Sequence, residues 1–163
     1  MKSVVGCTGS HFGGVERQFR YPLELGTRPA PSSQYTVTAA GSALLSSTRK
    51  ENVPVITSCT VGKIVDYHIC DANNMGAAMA QSAYETLSAY FKDTGDKPTD
   101  YDIIVTGDLS TVGKQLVLDL FDGDGINMRP VYDDCGLMLY HVGPDVHAGE
   151  SGCGCSPAAL GGC

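Results

Sequence analysis

The chain has 163 residues, of which 42% are apolar and 18% are charged, enough for one hydrophobic core of ordinary size. Its net charge of −7 is uneven, because residues 1–81 carry seven Lys and Arg against five Asp and Glu, while residues 82–163 carry four against thirteen. This balance argues against a nucleic-acid platform, which needs a clustered basic face. No run of about 18 apolar residues is present, so no transmembrane helix is predicted.

The seven cysteines are an odd number scattered through ordinary globular sequence, which predicts reduced thiols. Cys153 and Cys155, with Cys163 nearby, come closest to a metal-ligand cluster. Zinc ligands are usually separated by about two to four residues and followed by a second such pair, which this spacing does not match. We therefore expect no metal site.

The first part of the chain is rich in β-forming residues. Residues 2–7 predict a strand that runs into a glycine-rich loop at residues 8–14. Residues 35–46 and 53–65 predict two more strands, and the short link between them predicts a hairpin.

The hydrophobic period then changes to that of a helix. From Met75 to Phe91, apolar side chains recur at a spacing of three to four residues. Asn73 or Asn74 is the predicted N-cap, since an Asn side chain can accept a hydrogen bond from the first turn, and Gly95 is the predicted stop.

A second strand and helix follow. The run from Ile103 to Val105 is continuously apolar, which predicts a strand buried on both faces, as in a parallel sheet. Ser110 is predicted to cap a helix that ends at Gly123 or Gly125. No single element is predicted for residues 131–146. Strands that alternate with helices predict an α/β layered fold.

Several strings, taken together and in this order, resemble the thiolase-like family of stage V sporulation AD proteins. They are SH at 10–11, ERQFRYP at 16–22, TVT at 36–38 with GSA at 41–43, TVGKIVD at 60–66, MGAAMA at 75–80 after Asp71, DYD at 100–102 with TGDLS at 106–110, DCGLM at 134–138 and AGESGCGCS at 148–156. The resemblance covers nearly the whole chain.

The resemblance implies a protein that binds dipicolinate, usually with calcium, and supports its uptake into the developing spore and its release at germination. It implies membrane-embedded partner subunits, a peripheral position at the spore inner membrane, a homodimer and no cofactor. Such proteins are roughly twice as long as this chain. Residues 1–163 would then form one incomplete thiolase-like region, with the end of the first half and its strand hairpin at 1–66 and most of the second half at 67–163.

Thiolase-like enzymes form an acyl thioester on an activated cysteine, and the resemblance implies that this nucleophile precedes the strand that begins here near Met1. Where condensing enzymes carry a histidine loop and a glycine-asparagine turn, this chain has Asp108 and Glu150. A carboxylate donates no hydrogen bond to an oxyanion unless it is protonated. These departures favour binding without catalysis and leave no catalytic residue to assign. The alternative is an active acyltransferase of the thiolase superfamily.

The predicted ligand-binding residues are His11, Arg17, Arg20, Asp108 and Ser151. An imidazole, two guanidinium groups and the amides after a serine are donors that suit a dianionic ligand. Each residue has a second interpretation: an exposed loop histidine, arginines paired with nearby glutamates, an aspartate that caps the next helix, and small residues that let a helix pack closely.

Overall fold

The computed structural model describes residues 2–9, 40–71, 74–107 and 109–139. The elements in chain order are β1 (Ser3–Gly9), β2 (Ala40–Ser46), α1 (Met75–Thr94), a 3₁₀ turn (Pro98–Asp100), β3 (Ile104–Thr106), α2 (Ser110–Gly123), β4 (Tyr132–Asp134) and α3 (Cys135–Leu139). Helices and strands are mixed along the chain, so the predicted α/β class is confirmed.

Strands β1 and β2 form an antiparallel ribbon whose register runs from Ser3 opposite Ser46 to Gly9 opposite Ala40. The predicted first strand is therefore confirmed. The predicted hairpin is wrong, because residues 53–65 form no strand and β2 pairs with β1 instead.

Residues 53–71 are instead attached to α1 by side chains. The hydroxyl groups of Ser58 and Tyr90 lie 2.7 Å apart, and the Tyr67 hydroxyl donates to Glu85 Oε1 at 2.6 Å. Lys63 Nζ pairs with Glu85 Oε2 at 2.7 Å. These side-chain contacts attach the segment to α1, although it pairs with no neighbouring strand.

Helix α1 begins and ends where the sequence predicts. The Asn74 side chain accepts a hydrogen bond from the Ala77 N–H at 3.1 Å, which caps the first turn. Gly95 adopts a φ of +78°, the left-handed conformation that glycine adopts at low cost, and its N–H bonds to the Phe91 carbonyl at 2.9 Å. Within the described residues, no helix combines the length and apolar character that crossing a membrane requires.

The core lies between α1 and α2. The rings of Phe91 and Phe121 meet edge to face with centroids 6.2 Å apart, and Tyr84 meets Phe121 in the same way at 5.0 Å. The buried apolar cluster consists of Ala80, Phe91, Leu109, Val117, Leu118, Phe121, Met128 and Tyr132. The apolar side chains that the sequence predicts along α1 therefore face α2.

Strands β3 and β4 are parallel, with Ile104 opposite Tyr132 and Thr106 opposite Asp134, and α2 connects them. The predicted parallel pairing is confirmed, but the predicted burial on both faces is wrong. Ile104 packs against the core, whereas Ile103 is 52% exposed and Val105 is 36% exposed. Successive strand residues point to opposite faces, and only one face of this pair is covered by α1 and α2.

The two long helices approach each other closely at Gly113. A Cβ added there would lie 2.8 Å from the Gly76 carbonyl oxygen and 2.7 Å from the Leu109 Cβ. Both distances are shorter than real Cβ contacts, and one of the two neighbours is backbone. The position of α1 against α2 therefore depends on the absence of a side chain at this residue.

We expect Gly113→Ala to lower the free energy of unfolding by about 1–3 kcal/mol, because the new methyl group forces the helices apart. Gly123→Ala is the matched control, since nothing lies within 4 Å of an added Cβ there. Alanine favours a helix, so the control is expected to be neutral or stabilising by up to about 1 kcal/mol. Urea unfolding followed by circular dichroism measures both, and equal effects would contradict the close approach.

Candidate functional site

The carboxyl ends of β3 and β4 lie side by side, because Thr106 is paired with Asp134 in a parallel register. Ligands of α/β proteins usually bind at this edge of a parallel sheet. Helix α2 starts four residues after β3 ends, which brings its N-terminus to the same place. We call the group formed by Thr106, Leu109, Ser110 and Asp134 the carboxyl edge.

Asp134 is fully buried at this edge and accepts hydrogen bonds from four backbone N–H groups. Its Oδ2 accepts from Leu109 at 2.7 Å, and its Oδ1 accepts from Ser110 at 3.0 Å, Gly136 at 3.1 Å and Leu137 at 3.3 Å. One carboxylate thus satisfies unpaired N–H groups at the start of α2 and at the start of α3.

Two opposing effects act on this carboxyl group. Burial raises the pKa of Asp134, while its four N–H donors lower it, and the net direction is upward. In all four contacts a carboxylate oxygen accepts a hydrogen bond. This matches an ionised carboxylate, which has acceptors and no donor. The N–H groups at the start of α2 are consequently occupied by the protein's own anion.

Ser110 does not cap α2 as the sequence predicts. It is the first residue of the helix, it is 2% exposed, and its φ is +57°. A non-glycine residue in the left-handed region is strained, and such strain persists only where the surroundings impose it. Asp134, which lies 24 residues further along the chain, takes the place of a local cap.

Two polar contacts flank the carboxyl edge. Lys114 Nζ lies 2.6 Å from Asp133 Oδ1. Burial raises the pKa of Asp133, but the Lys114 ammonium and the Asp134 N–H lower it by more, and the pKa is below its ordinary value. The Tyr132 and Thr106 hydroxyl groups are 2.6 Å apart, and burial raises the pKa of Tyr132.

The described residues contain no group of three or more His, Cys, Asp or Glu arranged to hold a metal ion. A concavity of about 520 Å³ is lined by Arg49, Lys50, Glu51, Asn52, Val53 and Val55. All six residues are exposed and belong to one stretch of chain. This concavity is a surface depression beside a turn, and no buried polar group lines it.

None of the five predicted ligand-binding residues lies in the part of the chain that the structure describes. They are His11, Arg17, Arg20, Asp108 and Ser151. The sequence did not single out Asp134, although this residue organises the described edge. The two adjacent aspartates were visible in the sequence, but no element was predicted there and nothing local distinguishes the buried one from its neighbour.

The sequence of the chain matches a known protein family. The family model for stage V sporulation protein AD matches residues 1–163. A curated relative, stage V sporulation protein AD of Bacillus subtilis (strain 168), is 44% identical over 155 residues, which cover 95% of this chain and 45% of the relative. The chain therefore spans less than half the length of that relative.

The Lys114–Asp133 pair predicts a pH-dependent contribution to stability. Because the pKa of Asp133 is lower in the folded chain, the pair stabilises the fold above the unfolded pKa of about 3.9 and loses this effect as the pH falls through the folded pKa. We expect Lys114→Met to lower the free energy of unfolding at neutral pH by up to about 1 kcal/mol, since the pair is partly screened by solvent. This difference should shrink in acid as the pH falls through the folded pKa of Asp133.

The matched control is Lys50→Met, which removes the same charge from an exposed residue outside any helix and without an ion pair among the described residues. Denaturant titrations at several pH values compare the two variants with the parent chain. An equal loss in both variants, or a loss in Lys114→Met that persists in acid, would contradict the assignment of the effect to Asp133.

Proposed function

The chain belongs to the stage V sporulation protein AD family, and from this we propose that it is a non-catalytic, thiolase-like sporulation protein that binds dipicolinate. In this proposal the chain supports uptake of dipicolinate into the developing spore and its release at germination. Residues 1–163 form part of a layered thiolase-like fold.

One observation favours binding over acyl transfer. An acyl-transfer site needs free N–H donors aimed at the oxyanion that develops in the transition state. At the carboxyl edge, the N–H groups of Leu109 and Ser110 both donate to the Asp134 carboxylate. The Asp134 carboxylate already occupies the place where an oxyanion would accept these two hydrogen bonds, so this edge is unsuited to stabilise an oxyanion.

The chemistry of dipicolinate explains the choice of ligand-binding residues. It is a pyridine with two carboxylates, so it needs cationic or N–H donors on both sides of the ring. His11, Arg17 and Arg20 supply such groups, and arginine binds carboxylates through two parallel hydrogen bonds. Ser151 and the amides that follow it are a further donor set.

Asp108 borders the ligand pocket in this proposal, while His11, Arg17 and Arg20 bind the carboxylates of dipicolinate.

The proposed setting is peripheral association with the spore inner membrane beside membrane-embedded subunits. The chain acts there as a homodimer without a cofactor. The acidic net charge gives no reason to include nucleic acid among the partners.

Isothermal titration calorimetry of the full chain with dipicolinate, with and without an equal concentration of calcium, tests the proposed function. We expect binding by the parent chain and a loss of affinity of about tenfold or more in Arg17→Gln/Arg20→Gln and in His11→Ala, because each removes charge-assisted hydrogen bonds. The control is Arg49→Gln/Lys50→Gln, which removes two exposed basic groups from the surface depression.

Three outcomes would contradict the proposal. The first is an absence of dipicolinate binding by the parent chain under both conditions. The second is an equal loss of affinity in the control and in Arg17→Gln/Arg20→Gln, which would indicate a general effect of charge. The third is an acyl-cysteine detected by mass spectrometry after incubation with acyl-CoA, which would favour the acyltransferase alternative.

A further inference from the structure

We propose that an exposed surface of residues 49–64 binds an anionic lipid bilayer. The surface consists of Arg49, Lys50, Ile56, Val61 and Ile64, and we call it the outward strip. This inference rests on the proposed function, because it names the contact through which the chain holds a peripheral position at a membrane. Its support comes from the polarity of this segment, the cations beside it and the charge of the remaining described residues.

The side of the segment that faces α1 is polar. Ser58 Oγ lies 2.7 Å from the Tyr90 hydroxyl oxygen, and the Lys63 ion pair follows further along the same helix. The backbone comes close to α1 at Gly62, where an added Cβ would lie 2.9 Å from Thr86 Oγ1. These contacts fix which side of the segment faces the helix and which side faces away.

The side chains that face away are apolar. Ile56 is 76% exposed, Val61 is 93% exposed and Ile64 is fully exposed. Single exposed apolar residues are common on proteins, but here three lie within nine residues of a segment whose inner contacts are polar. Water favours the opposite arrangement. The reversed polarity points to an apolar environment outside the segment.

Two cations lie next to these apolar side chains. Arg49 and Lys50 line the same surface depression as Val53 and Val55, and neither cation forms an ion pair with a described residue. Lys and Arg beside an apolar surface suit a bilayer that carries anionic headgroups, since each such cation near the surface strengthens attachment.

The charge of the remaining described residues gives the orientation. Residues 40–64 carry three Lys and Arg against one Glu, whereas the described residues between 74 and 139 carry four against ten Asp and Glu. An anionic bilayer attracts the first group and repels the second. The helices α1 and α2 therefore face away from the membrane when the outward strip binds it.

The contact is shallow. The segment pairs with no neighbouring strand, so its backbone N–H and C=O groups need water or headgroup partners. Only the ends of the apolar side chains enter the hydrocarbon, and the cations remain among the headgroups.

Flotation of the full chain with lipid vesicles tests the inference. We expect binding to vesicles of phosphatidylglycerol and phosphatidylcholine in equal parts, and much weaker binding to phosphatidylcholine alone. Arg49→Gln/Lys50→Gln should weaken binding to the anionic vesicles by about tenfold or more, and high salt should have a similar effect. Val61→Thr/Ile64→Thr should weaken it by about tenfold while keeping branched side chains at exposed positions.

Each double variant has a control. Lys92→Gln/Lys97→Gln removes the same charge from two exposed residues in the acidic part of the chain, and Ile103→Thr removes an exposed apolar side chain outside the outward strip. Both controls should bind the anionic vesicles within about twofold of the parent chain. Circular dichroism verifies that every variant is folded as the parent chain is.

The chain contains no Trp, so a single introduced Trp reports its own surroundings. The emission of Ile64→Trp should shift to shorter wavelength when anionic vesicles are added, because the ring enters an apolar environment. Gln115→Trp, on the exposed side of α2, should show no shift. Both measurements are made at the same protein concentration.

The inference is overturned if the parent chain does not float with anionic vesicles, if the controls lose as much binding as the strip variants, or if Ile64→Trp emission does not shift. It is also overturned if that emission shifts with protein concentration in the absence of lipid, because a second copy of the chain would then cover the strip. Dipicolinate binding is measured without vesicles, so the two levels fail separately. A chain that binds dipicolinate but no vesicles leaves the proposed ligand intact and removes the outward strip, whereas the reverse result removes the ligand and leaves the strip.

Discussion

The carboxylate of Asp134 joins the elements around the parallel strand pair. Four N–H groups from two stretches of chain converge on it, and those of Leu109, Ser110 and Gly136 would otherwise be buried donors without a partner. Burial of a charged group is costly, so the arrangement persists only because all four donors are present together. The start of α2, the start of α3 and the end of β4 consequently depend on a single side chain.

This internal anion also affects the chemistry of the carboxyl edge. A helix N-terminus favours anions, but at α2 that position is filled by Asp134, and the neighbouring Asp133 is paired with Lys114. The edge therefore supplies little free positive charge for an external carboxylate. A dianionic ligand bound here requires cationic groups from other parts of the chain or a cation that accompanies it, and both are elements of the proposed function.

Apolar surface elsewhere is left uncovered within the described residues. In the β1–β2 ribbon, Val5 lies opposite Leu44 on one face and Val4 lies opposite Leu45 on the other, and all four side chains are at least 42% exposed. Ribbons of two strands gain their stability mainly from packing against other structure. The compact part of the described chain is the α1–α2 core with the β3–β4 pair, and the ribbon contributes little to it.

The sequence alone determined features that depend on neighbouring residues, and the tertiary structure decided those that depend on distant ones. Asn74, the apolar period and Gly95 act within a few residues of each other, so the bounds of α1 were predictable, as were the α/β class and the family. The partner of β2 and the cap of α2 were not, because each is set by a segment more than 20 residues away. The exposed face of β3 was not predictable either, because it depends on how α1 and α2 pack. For the site, the sequence indicated which loops to consider, but only packing distinguishes the buried Asp134 from Asp133 and imposes the left-handed backbone on Ser110.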